Sequence, residues 1–166
     1  MNWGKITDII LITSIAVLAV FALLGLIELI RRKSIKKVDK SLLAMIPPLI
    51  LMSATYFIFD KIWILNMRPD GSGEPSFPST HTMIVATIFL MAIIALPKYI
   101  KNKPLRIILD IVMLSFIAVV PVGRVLANKH WVSDVVAGLI FAVIFAAIYY
   151  LITRSHKNAK HLHEDN

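Results

Sequence analysis

Long apolar runs, separated by short charged or polar connections, set the frame of this chain. Uncharged, predominantly hydrophobic residues fill positions 9–27, 41–59 and 135–153. Two further runs are shorter: 82–97, and 107–122, which carries Asp110. A helix needs about 20 apolar residues to cross a hydrocarbon layer ~30 Å thick. The three uncharged runs reach that length, the run at 82–97 reaches it if its helix begins near Ser79, and the run at 107–122 reaches it approximately. The pattern predicts an all-α fold class: a polytopic membrane helix bundle of about five transmembrane helices, forming one domain over residues 1–166.

Two local features refine the helices. Pro47 and Pro48 remove backbone donors and should kink or restart the second span. Arg106 and Asp110 are four apart, which would let them pair on one helix face near a membrane boundary. The first run is longer than a signal-peptide core and ends in Glu28, Arg31, Arg32 and Lys33 without a small-residue cleavage site, so it is expected to be retained as a span.

Composition agrees with the pattern. Hydrophobic residues make up 58% of the chain and charged ones 17%, a balance unlike that of a soluble domain. The net charge of +8 does not point to nucleic acid, because there is no basic soluble domain bearing aromatic residues to bind it. It fits basic cytoplasmic connections instead. Lys and Arg crowd three of them, at residues 31–40, 98–106 and after Thr153, and five alternating helices put all three on one side. Taking that side as the cytoplasm puts the N-terminus outside and the C-terminus inside. The loops at about 60–80 and 123–133 then face outward. With no cysteine, the chain has neither disulfides nor a thiolate metal site. His156, His161 and His163 read as part of a solvated basic tail rather than as metal ligands. Trp3, Trp63 and Trp131 fall near the expected interfaces and suit anchoring there.

The two outward loops hold most of the unusual polar residues. Lys61 and Arg68 are seven apart, two helical turns, so one helix face could align them. Lys61 taken alone reads equally well as a lysine snorkelling at a membrane edge. Pro78-Ser79-Thr80-His81 precedes an apolar run, and Ser79 or Thr80 suits a helix N-cap. The free N–H groups of a helix start seat phosphate readily, and His81 adds a proton donor beside them. Without His81 the same residues would be no more than a cap. His130 and Asp134 are four apart, and a carboxylate on one ring nitrogen leaves the other free to attack. A structural His–Asp pair at a helix end is the other reading. Arg124 lies six residues before His130 and offers forked donors suited to phosphate.

Lys61, Arg68 and Pro69, then Pro78-Ser79-Thr80-His81, then Gly123, Arg124, His130 and Asp134 together resemble the three-part signature of the type-2 phosphatidic acid phosphatase superfamily, over residues 61–134. The resemblance implies metal-independent hydrolysis of a lipid phosphate or diphosphate in the cell membrane, with no cofactor. His130 would be the nucleophile that forms a phosphohistidine, Asp134 would orient it, and His81 would protonate the leaving oxygen. Lys61, Arg68, Ser79, the Thr80 N–H and Arg124 would hold the phosphoryl oxygens. The outward-facing site points first to undecaprenyl diphosphate, with phosphatidate or phosphatidylglycerophosphate as the alternative. A non-catalytic membrane protein that binds lipid head groups, and transfer of the phosphoryl group to an acceptor other than water, are the competing classes. The expected partners are the lipid substrate and the bilayer.

The chain departs from the family pattern in three places. Thr80 stands where the family usually has Gly, which would be costly if that position needs a positive φ. Gly123 replaces the usual Ser and loses a hydroxyl contact. The family commonly has six spans, against five here.

Overall fold

The computed structural model describes residues 1–164, with side chains through residue 155. His156, His161 and His163 lie outside the described side chains. The described residues are helical apart from short connections and one isolated bridge between Met67 and Pro75.

Helix α1 (Trp3–Arg32) opens on Asn2, whose side chain accepts from the Lys5 N–H at 3.1 Å, and closes on Lys33 in the left-handed region. A 3-10 turn (Ile35–Lys37) leads to the short α2 (Lys40–Leu43). Helix α3 (Ile46–Phe57) then restarts with its prolines in the first turn, where a missing N–H costs nothing. It passes into a π-helical turn (Ile58–Ile62). Helix α4 (Thr80–Tyr99), α5 (Lys103–Leu126) and α6 (Val132–Glu164) complete the order. Five helical segments are long and apolar enough to cross a membrane, the second being α2, α3 and the π turn together.

Helix α5 is longer than the apolar run at 107–122. Asn102 caps it by accepting from the Leu105 N–H at 3.0 Å, and the last turn carries Gly123 and Arg124 into the protein interior. The expected Arg106–Asp110 pair does not form, and Asp110 Oδ1 is buried without a partner. Four-residue spacing makes the pair possible but does not choose the rotamers that would close it.

Helix α4 is the central element, packed against α1, α5 and α6. Met83, Val85, Ala86, Ile88, Phe89, Met91 and Ala92 are all buried along it. Helices α1 and α5 turn many large apolar residues outward, among them Ile9, Ile12, Leu23, Ile108 and Ile111, as lipid-facing spans do. Small residues set the closest crossings, as expected where packing rather than water exclusion drives association. A Cβ on Gly138 of α6 would lie 2.9 Å from the Ser79 carbonyl oxygen, and one on Gly123 of α5 would lie 2.7 Å from Thr7 Cγ2 of α1.

Candidate active site

Two connections and the first turns of α1 meet at one end of the bundle. The segment between the π turn and α4 doubles back through the Met67–Pro75 bridge, with Gly71 and Gly73 both at positive φ in the turn. The Arg68 N–H donates to the Glu74 carbonyl at 3.0 Å, and the Ser76 N–H to the Asn66 carbonyl at 2.9 Å. The connection after α5 turns sharply because Asn128 adopts a left-handed conformation (φ 57), which Asn tolerates better than most residues.

These two loops are stitched together. Trp131 Nε1 donates to the Met67 carbonyl at 2.9 Å, and Lys129 Nζ to Asp70 Oδ2 at 2.7 Å. Lys129, with the Ser72 hydroxyl and N–H, holds the Asp70 carboxyl well below the usual carboxylate range. The Ser79 N–H donates to the Asp134 carbonyl at 2.9 Å, tying the start of α4 to the start of α6.

His130 is buried in the second loop, and its Nδ1 lies 2.8 Å from the Ser76 carbonyl oxygen. A carbonyl oxygen only accepts, so the contact puts the proton on Nδ1 and leaves the lone pair on Nε2. Burial, reinforced by the Arg124 charge, pushes the His130 pKa down to about 4, against the Ser76 carbonyl and Asp134. The ring is therefore neutral at neutral pH, with a nucleophilic nitrogen available.

Asp134 does not make the expected hydrogen bond to His130. Its Oδ2 lies 3.9 Å from His130 Nδ1, and Ser76 takes that position. His130 precedes α6, so four-residue spacing does not set the pair on one helix face. Asp134 instead caps its own helix, accepting from the Trp131 N–H at 2.9 Å, and accepts from Asn66 Nδ2 at 3.0 Å.

Ser79 and Thr80 open α4. Ser79 is fully buried and makes no side-chain cap; its Oγ lies 3.0 Å from Thr82 Oγ1. The first-turn N–H groups are thus not closed by a capping hydroxyl, a geometry suited to anion binding. Thr80 is not at positive φ, so replacing Gly there costs no backbone strain. His81 follows in the first turn, and its Nε2 lies 2.9 Å from Asp8 Oδ1 of α1. The same oxygen lies 3.5 Å from an Nη of Arg124, which is buried at the end of α5.

The two remaining cations differ in placement. Arg68 pairs with the Glu74 carboxylate, while its Nε is buried without a partner. Together with Arg124, its charge reaches both histidines. Lys61 is exposed, pairs with Asp60 at 2.7 Å, and among the described residues has no contact with the histidine cluster. Lys61 and Arg68 do not share a helix face, because the helical path ends at Ile62 and Arg68 lies in the doubled-back loop. Asp8, Asn66 and Ser76 were not anticipated from sequence. Asp8 had a detectable signal, as an acidic residue at the edge of an apolar span on the side of the other motifs. Asn66 and Ser76 had none, since one holds a carboxylate and the other contributes only its carbonyl.

Comparison with known proteins gives a consistent picture. The family model described as the PAP2 superfamily matches residues 53–157. A lipid A 1-phosphatase from Porphyromonas gingivalis is 31% identical over 88 residues, covering 53% of this chain but only 18% of that relative's length. The crystal structure of a transmembrane PAP2 type phosphatidylglycerolphosphate phosphatase from Bacillus subtilis superposes with a TM-score of 0.63 at 20% identity, over 95% of this chain and 79% of that one. At that identity the likeness concerns the fold.

Proposed function

Since the chain belongs to the PAP2 superfamily, we propose that it is a membrane lipid phosphatase working through a phosphohistidine on His130. One oxygen carries the reading. Asp8 Oδ1 lies within reach of both His81 and Arg124, so the proposed acid and a guanidinium proposed to bind phosphate converge on one point.

The reaction runs in two steps. The His130 Nε2 lone pair attacks phosphorus while Nδ1–H stays on the Ser76 carbonyl. The bond from phosphorus to the leaving oxygen breaks, and that oxygen takes its proton from His81. Water then attacks the phosphohistidine and gives a proton back to His81, the P–N bond breaks, and inorganic phosphate leaves. Arg68, Arg124 and the Thr80 N–H in the first turn of α4 neutralise charge on the phosphoryl oxygens, the main contribution a protein makes to phosphoryl transfer. Lys61 joins them only if its side chain leaves Asp60. Asp134 supports His130 indirectly, by fixing the start of α6 and Asn66.

The crowding of Lys and Arg in the connections at the other end supports an extracytoplasmic site in the cell membrane. That orientation favours undecaprenyl diphosphate as substrate, hydrolysed to the monophosphate. A second reading, a lipid monophosphate such as phosphatidylglycerophosphate, is favoured by what the similar proteins are named for. Purified protein assayed for phosphate release across diphosphate and monophosphate lipids, without added metal, separates the two. Release inhibited by vanadate is expected, and no release from any lipid overturns the reading. A cysteine at Gly73 should react with an impermeant reagent from outside intact cells; labelling only after lysis reverses the orientation.

A further inference from the structure

Helix α1 lies outside the stretch matched by the family model, yet it delivers a carboxylate to the site. The delivery depends on a close helix crossing. Gly123 has no room for a side chain, since its Cβ would lie 2.7 Å from Thr7 Cγ2 and 3.3 Å from Trp3 Cε3. Thr7 is fully buried there, its hydroxyl turned back onto the Trp3 and Gly4 carbonyls. This approach sets the next residue, Asp8, against His81 of α4 and Arg124 of α5.

We propose that Asp8 is a positioning residue that orients His81 and favours its protonated, proton-donating form. The proposal rests on the phosphatase reading and extends it to the N-terminal helix. A proton on His81 is opposed first by burial and then by two like charges, Arg124 from α5 and Arg68 from the loop before α4, so a favourable partner is needed to keep it. At the start of α6, Asp134 is engaged by Asn66 and the Trp131 N–H, and His130 is bonded to Ser76. Asp8 is the carboxylate in hydrogen-bond contact with His81, and an opposite charge at that range favours the charged form of an imidazole. Asp8 is more than half exposed, so it can yield its place as the leaving oxygen arrives.

The test compares Asp8→Asn, Asp8→Glu, His81→Ala and the double variant Asp8→Asn/His81→Ala, all as full-length protein in detergent. Release of phosphate by the wild type comes first, and its absence overturns the phosphatase reading rather than the role of Asp8. Given an active wild type, Asp8→Asn should move the basic limb of the kcat–pH profile to lower pH and cost about tenfold at pH 8, one pKa unit being a factor of ten. Asp8→Glu should recover part of that loss. Asp8→Asn should add nothing in the His81→Ala background, because the two act through one group. Gly123→Ser, which pushes α1 away, should shift the limb in the same direction. An unchanged pH profile with only KM or phosphate inhibition altered overturns the proposal, because Asp8 would then be merely an anion resting in the phosphate seat. A further loss in the His81→Ala background overturns it as well, by exposing a structural role.

Discussion

His81 and His130 lie at the same end of the bundle and answer to different partners. His81 sits in the first turn of a central helix and meets a carboxylate from α1. His130 sits in a tight loop between helices and meets a backbone carbonyl. Burial and the charges of Arg124 and Arg68 act on both rings; the Asp8 carboxylate offsets them at His81, whereas the Ser76 carbonyl leaves His130 neutral and fixes which nitrogen bears the lone pair. The proposed division of tasks, donation at His81 and attack at His130, rests on this difference of partners, as environments can separate an acid from a base. The difference lies in the second partner of each ring, not in either histidine.

The comparison can be broken most severely at His130. Replacing it with Ala removes the only proposed nucleophile and should lower phosphate release by at least ~10³-fold. Trapping of phosphate on the protein from labelled substrate should vanish with it, and a retained phosphoprotein would move the nucleophile elsewhere. His81→Ala should cost ~10²–10⁴-fold, the usual range for a general acid. The loss should shrink with a leaving group that needs no proton, such as a nitrophenolate, whereas the His130→Ala loss should not. Equal losses on both substrates would erase the distinction between the two rings.

Gly138→Ala tests the frame that holds both histidines. Its Cβ would press on the Ser79 carbonyl, 2.9 Å away, which is backbone and cannot rotate aside. A loss of about 1–3 kcal/mol in stability is expected from such overpacking, read by thermal unfolding in detergent, with activity falling alongside. The smallest effect is a titration. NMR of labelled histidine should find the His130 midpoint near 4 in the folded protein, and higher in Arg124→Gln, where the like charge is gone. An unfolded chain takes up that proton near the ordinary value of 6.5. The stability linked to a neutral His130 is therefore full above that pH and is lost as pH falls toward 4.

Much of the architecture was legible in advance. Apolar runs of spanning length indicated the five helices, and Pro47 and Pro48 marked the restart at α3. Part of the candidate site was legible through residue types: His81, Arg124 and His130 do lie at one end of the bundle, whereas Lys61 stands apart and Asp8 was missed. Spacing misled wherever it was converted into contact. His130 and Asp134 are separated by the cap of α6, Lys61 and Arg68 by the end of a helix, and Arg106 and Asp110 by their rotamers. Thr80, which looked costly, opens α4 without strain, and Gly123, which looked like a lost hydroxyl, is the space that lets α1 approach.

What the sequence determined by itself is local and additive. The length of an apolar run, the missing N–H of a proline and the sign of a loop's charge act within a few residues, so they can be read along the chain. The partners of His81 and His130 belong to another order of information. Asp8 lies 73 residues before His81, and Ser76 lies 54 before His130. Such contacts depend on how the helices pack, with close crossings at Gly123 and Gly138, and a crossing is a property of packed surfaces that no short stretch of chain contains.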